Sequence, residues 1–368
     1  MSTSWPDSAI MMTLSAIAYS SDISGQLQNT SYATGGDWSV VWGPYDDAYG
    51  NLCYVAKSAS TGNYALAIRG SETSVSLDTL YNWFYNLYVT YQSAWPYLPS
   101  QPQAMLSYGS YVQASNLTTA TWNGQTLGDY LTKTIPSTAT VTVTGHSLGG
   151  NLATVLGSWL SYQRGPSGST PDPNTQVYTY AAPSAGNDAF ATGFNARLPN
   201  SYRYWNSLDA IPRAWETLLE LEWIYSGIGI PTPSWAKDTI DGLEIALAAS
   251  EVHYNSVYTQ PNGNGTELTG TASPSSTTFI AEIAYQHQCN IYLGLLGAPL
   301  IQAIVTPELS VPKLSMAGGV PSPYKGSYLP RPVLDKARPG PMAALPMPGT
   351  ALSPGVSAAR NPRFGAGY

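Results

Sequence analysis

The stretch VTVTGHSLGGNLATVL, residues 141–156, constrains this chain more than any other. A β-branched, strand-like run meets a helical apolar pattern at G-H-S-L-G. In a chain of this Gly and Ser content, G-x-S-x-G arises by chance roughly 0.3 times, so the five letters decide little. Their flanks decide more. ATVTVT (139–144) reads as a strand, and after Gly150 the residues Leu152, Val155, Leu156, Trp159 and Leu160 follow a helical stripe. A serine on a sharp strand-to-helix turn takes a strained backbone and needs small residues on both sides. Ser147 has Gly145 and Gly149 there. The backbone N–H of Leu148 and the positive end of the helix then face a developing oxyanion. The competing reading, a phosphate-binding βα loop, needs a basic or Gly-x-Gly pattern that is absent.

Elsewhere the periodicities alternate. An amphipathic N-terminal run (Ile10, Met11, Leu14, Ile17, Ala18) predicts a first helix. WSVVW (38–42), LCYVA (52–56) and YALAI (64–68) predict short strands joined as hairpins. DTLYNWFYNLY (78–88) predicts a helix with Leu80, Trp83, Phe84, Leu87 and Tyr88 on one face. TLGDYLTKTI (126–135) predicts another helix. QVYTYAA (176–182), YRYWN (202–206) and VHYNSVYT (252–259) predict strands, and 277–297 a last helical stretch. The expected fold is α/β: a mostly parallel central sheet flanked by helices, with an antiparallel hairpin start. Residues 1–300 form one domain in this reading. Twelve of the 29 prolines fall after residue 300, so 301–368 reads as a flexible or extended Pro-rich basic tail.

A serine hydroxyl needs a base, and the base needs an orienting carboxylate. The chain has three histidines. His146 adjoins Ser147 and its side chain leaves the turn in another direction. His253 lies in a strand-like run, and His287 sits just before or within the last helix, where a loop can present it. His287 is the preferred base, with His253 as the alternative. For the acid, Asp209 stands immediately beyond the strand YRYWN and before Ile-Pro. Asp188 is its rival, in a Gly-Asn stretch where Asp commonly makes a turn.

Charge and cysteine usage exclude other classes. Residues 1–300 hold eight basic and twenty acidic groups, whereas 301–368 hold seven basic and two acidic. An acidic body has no basic stripe to displace counterions, which argues against nucleic acid and against docking on anionic membranes. Cys53 and Cys289 make no disulfide framework, and no Cys/His cluster suggests a metal. Only 10% of residues are charged, which suits an extracellular or envelope protein, although no signal peptide is recognisable and a cytoplasmic site stays open. No run approaches the ~20 apolar residues of a membrane span.

The blocks SAIAYSSD, ALAIRGSET, TLYNWFYNL, VTVTGHSLGGNLATVL, YTYAAPSAGNDAFA, YWNSLDAIPR and HQCNIYL lie in order along residues 10–297. Together they resemble the class 3 lipases, the filamentous-fungal lipase-like family of α/β hydrolases. That resemblance implies a triad of Ser147, Asp209 and His287, with oxyanion N–H groups from Ser71 and Leu148. The family usually has Thr where Ser71 stands; serine keeps both the hydroxyl and the N–H. The family's G-A-P-R-V-G loop reads A-A-P-S-A-G here (181–186), and H-x-x-x-x-Y occurs at both His253 and His287. The resemblance also places a lid at 78–88, with Trp83, Phe84 and Leu87 toward an acyl pocket. It implies a carboxylic-ester hydrolase, most directly a triacylglycerol lipase, without metal or organic cofactor, acting on a lipid or ester. A phospholipase A1, a short-chain carboxylesterase and a silent acyl-binding protein are the alternatives.

Overall fold

In the computed structural model, residues 5–46, 51–71, 88–168, 170–261 and 264–302 are described. Seven strands form the main sheet, and they lie side by side in chain order. They are β1 (Trp38–Asp46), β2 (Leu52–Ser58), β3 (Tyr64–Ile68), β4 (Val141–His146), β5 (Thr175–Tyr180), β6 (Ser201–Asn206) and β7 (Asn264–Leu268). β1, β2 and β3 pair antiparallel, and every pairing from β3 to β7 is parallel. This is the mostly parallel sheet with an antiparallel start that the sequence pattern predicts.

Strand periodicity sorts the core into two faces. On β3, Leu66 and Ile68 join one apolar cluster while Ala65 and Ala67 join the other; on β2, Cys53 and Val55 oppose Tyr54 and Ala56 in the same way. The first face is covered by α2 (Tyr108–Thr119) and α3 (Leu148–Arg164), the second by α1 (Asp7–Ile17) and α7 (Cys289–Leu295). α4 (Asp188–Arg197) adds Phe190 and Phe194 to the first. A helix-to-strand contact seals the second: Ser15 Oγ on α1 lies 2.9 Å from Thr144 Oγ1 on β4.

A third apolar cluster sits over the carboxyl ends of the parallel strands. It joins Ile211, Trp215, Leu218 and Tyr225 to Leu243 and Leu247 of α5 (Ser234–Tyr254), and to Phe279 and Ile283 of α6 (Phe279–Gln286). Leu148 and Leu208, which follow β4 and β6, pack against it.

Three local expectations change. The strand expected at 252–259 is instead the last turn of α5, a left-handed Asn255 and a two-residue strand, Tyr258–Thr259. Buried Ile240, Leu243, Leu247 and Ser250 recur at helical spacing and carry the helix through Val252 and His253, which are exposed. The helix expected at 126–135 is a single α-turn, Leu127–Asp129, followed by a wider π-helical turn, Tyr130–Thr134. The stretch 277–297 is two helices, α6 and α7, parted at His287 and Gln288. No helix among the described residues is long and apolar enough to cross a membrane.

Candidate active site

Ser147 occupies the joint between β4 and α3 with φ 63° and ψ −131°. That backbone region is nearly reserved for glycine and costs about 1–3 kcal/mol for another residue. The turn is possible only because its neighbours lack side chains. A Cβ on Gly145 would lie 2.2 Å from the Gly149 carbonyl oxygen, and a Cβ on Gly149 would lie 2.2 Å from the Ile68 carbonyl oxygen. The strain is held from several sides. The Ser147 N–H donates to the Tyr180 carbonyl at 2.8 Å. In the first turn of α3, buried Asn151 accepts from Ser110 Oγ at 2.8 Å and donates to the Ser184 carbonyl at 3.2 Å.

The structure brings Asp209 and His287 together. Asp209 follows β6 and is wholly buried. Its Oδ1 accepts the Ile211 N–H at 3.0 Å; its Oδ2 accepts His287 Nδ1–H at 2.8 Å and the Tyr292 hydroxyl at 2.7 Å. His287 follows the last residue of α6 as its C-cap, and the break between the two helices aims its ring. Protonating Nδ1 toward the carboxylate leaves Nε2 as a proton acceptor. The His146 ring lies 4.7 Å from the His287 ring, centroid to centroid. Burial, reinforced by the charge His287 would carry, pushes the His146 imidazole well below its usual range, so His146 is neutral. Burial and the Asp209 carboxylate push the Tyr292 hydroxyl well above its usual range, so it donates as a phenol.

Two further segments meet at the Ser147 turn. Leu148 opens α3, and an N–H at the first helical position has no partner within the helix. The Arg69-Gly70-Ser71 segment follows β3. A Cβ on Gly70 would lie 3.0 Å from the Ser147 Cβ, so glycine lets this loop touch the elbow. Gly70 N–H donates to the Tyr19 hydroxyl at 2.9 Å, and that hydroxyl is 3.3 Å from His146 Nδ1. Arg69 pairs with Asp46 at 3.1 Å and anchors the loop from the other side.

The rival residues are elsewhere. His253 is exposed on the last turn of α5, and Asp188 is the exposed first residue of α4. Trp83, Phe84 and Leu87 lie outside the described residues. Among the described residues no group of three His, Cys, Asp or Glu could hold a metal ion. Tyr19, Asn151 and Tyr292 went unassigned at the level of sequence. Only Tyr292 carried a signal, as the last residue of the H-x-x-x-x-Y spacing that begins at His287.

A chain-ordered sheet, a strained serine at the end of a parallel strand and helices on both faces define an α/β hydrolase. The profile of the class 3 lipases matches residues 65–218. That part of the chain is similar to the class 3 lipases. The crystal structure of M37 lipase is similar with a TM-score of 0.68 and 25% identity, covering 80% of this chain and 94% of that one. The secreted mono- and diacylglycerol lipase 1 of Fusarium solani is 37% identical over 81 residues, 22% of each chain. The match thus spans about a fifth of that curated relative. The Rhizomucor miehei lipase propeptide complex gives a TM-score of 0.43 at 25% identity, covering 56% of this chain and 62% of that one.

Proposed function

We propose that this protein is a serine carboxylic-ester hydrolase of lipase type that acts on acylglycerols. The single observation that carries this reading is the buried Asp209–His287 pair, 2.8 Å apart, beside an elbow that holds buried Ser147 in a strained backbone. In the proposed reaction His287 Nε2 takes the Ser147 proton as Oγ attacks the ester carbonyl. The Ser71 and Leu148 N–H groups hold the oxyanion, and Asp209 stabilises the imidazolium. His287 then protonates the leaving alcohol, and water releases the acyl group by the reverse path. Catalysis in this reading belongs to residues 1–300.

Lipid-surface action is supported by where the apolar surface lies. Among the described residues eight large apolar side chains are exposed, and six of them fall within 219–257. That stretch caps Leu148 and Leu208, so the apolar surface and the elbow share one side of the molecule. The Fusarium relative is named as a secreted lipase, which supports an extracellular location here.

A serine-reactive fluorophosphonate tests the reading. Wild type should be labelled and Ser147→Ala should not; no labelling, or labelling unchanged in Ser147→Ala, overturns it. A chain-length series of esters, with a phospholipid and an emulsified triglyceride included, then reads the substrate class.

A further inference from the structure

Beneath the Asp209–His287 pair lies a line of polar side chains that the reaction itself does not use. Asn206, Gln286 and Glu282 are all fully buried. Asn206 ends β6, three residues before Asp209; Gln286 ends α6, directly before His287; Glu282 is one helical turn earlier. The Asn206 amide donates to the Gln286 side-chain oxygen at 2.6 Å and to the Gln286 backbone carbonyl at 3.1 Å. Gln286 Nε2 donates to Glu282 Oε1 at 2.6 Å and to the Thr271 carbonyl at 2.8 Å. Glu282 Oε1 also accepts the Ser273 N–H at 3.1 Å. At the other end Asn206 Oδ1 accepts the Leu208 N–H at 3.0 Å. The Asn206 N–H donates to the Tyr292 hydroxyl at 3.0 Å, the same hydroxyl that donates to Asp209.

A carboxylate in an apolar setting is costly, and an apolar side chain of similar volume is usually at least as stable there. Glu282 stands between Phe279 and Ile283, both in the apolar cluster over the site, and its Oε2 has no hydrogen-bond partner among the described residues. Leucine or methionine would suit such a place if packing were all it served. What Glu282 does instead is fix Gln286, and through it the last carbonyl before His287, against the residue that starts the Asp209 loop.

We propose that Glu282, Gln286 and Asn206 form a buried clamp that holds the Asp209 loop and the His287 loop in register, with Glu282 and Gln286 as positioning residues. The inference rests on the hydrolase reading above. It requires hydrogen bonds at Glu282 Oε1, not charge, so glutamine at 282 should serve. A misplacement of the base by about 1 Å can cost on the order of 100-fold in rate.

The test uses the full chain, a soluble p-nitrophenyl ester, and kcat counted per site titrated with fluorophosphonate. Gln286→Met and Glu282→Met should lower kcat per titrated site at least about tenfold with KM within about twofold. Glu282→Gln should stay within about threefold of wild type. Should Gln286→Met give no folded protein by circular dichroism, the Glu282→Met and Glu282→Gln pair decides alone. The clamp is overturned if the methionine variants lose only thermal stability while kcat per site stays at the wild-type value. It is also overturned if Glu282→Gln is as impaired as Glu282→Met. Wild type without Ser147-dependent hydrolysis removes both this proposal and the hydrolase reading, whereas an active wild type with unimpaired methionine variants removes the clamp alone.

Discussion

At Ser147 the backbone angle and the missing side chain of Gly149 are two halves of one turn. Gly149→Ala would set a methyl 2.2 Å from the Ile68 carbonyl oxygen, a backbone atom that cannot swing aside. The variant should lose about 1–3 kcal/mol, read as a lower Tm, together with most ester hydrolysis. His146, one residue earlier, makes stability depend on pH. Its native pKa lies well below the ordinary 6.5, so the unfolded chain binds a proton that the native chain refuses. Stability is therefore complete above pH 6.5 and falls as pH drops below it toward the native pKa. Tyr19, His287 and Tyr292 face the ring and close it from water. Tm scans should show a steeper decline from pH 7 to 5 in wild type than in His146→Gln; equal slopes would count against this role. The two remaining histidines separate by kinetics. His287→Ala should cut kcat by several orders of magnitude. His253→Ala, on an exposed helix end, should leave kcat near wild type.

Elements that carry a strong period were legible in the sequence. YALAI is β3 residue for residue, and the elbow needed only the switch from strand to helix spacing around G-H-S-L-G. Elements held by polar contacts were not legible. β7 is the short run NGTEL, a weak strand former whose five residues pair with β6. α4 starts because Asn187 Oδ1 accepts the Phe190 N–H at 2.9 Å, a cap that reads in sequence as a Gly-Asn turn. At the site, Asp209 and His287 were accessible from their places after a strand and beside a helix. Their supports Asn206 and Gln286 were not, because buried polar residues carry no periodic mark; Tyr292 showed only through its H-x-x-x-x-Y spacing from His287. The end of α3 illustrates the same blindness. The Arg164 side chain is 3% exposed and pairs with an Asp172 side chain 4% exposed, at 2.9 Å. It also donates to the carbonyls of Leu131, Pro136, Ser137 and Ala139, tying the segment before β4 to the end of α3. Removing one partner of a buried pair costs about 3–5 kcal/mol. Arg164→Ala should therefore lower the denaturant midpoint strongly, while Lys133→Ala, in an exposed pair, should move it little.

Over the whole molecule, apolar exposure and negative charge fall in the same place. Val252 is 83% exposed, Ile245 72% and Trp223 59%, all within the layer above Leu148. Residues 214–257 carry seven acidic groups and one lysine. An apolar surface on a segment this acidic favours an uncharged lipid surface and is repelled by an anionic one, over a range set by the ~10 Å Debye length at 0.1 M salt. Two outcomes follow from the proposed hydrolysis of acylglycerols at a surface. An Ile245→Ser, Val252→Ser double variant should lose roughly tenfold or more of its rate on a neutral triglyceride emulsion, because each side chain contributes apolar area to the contact. Its rate on a dissolved short-chain ester should not change, since neither residue approaches Ser147 from the outer face of α5. Doping the emulsion with an anionic lipid should slow wild type at low salt, and added salt should restore the rate. Equal losses on both substrates, or an anionic surface that speeds the reaction at low salt, would move the lipid contact away from this layer.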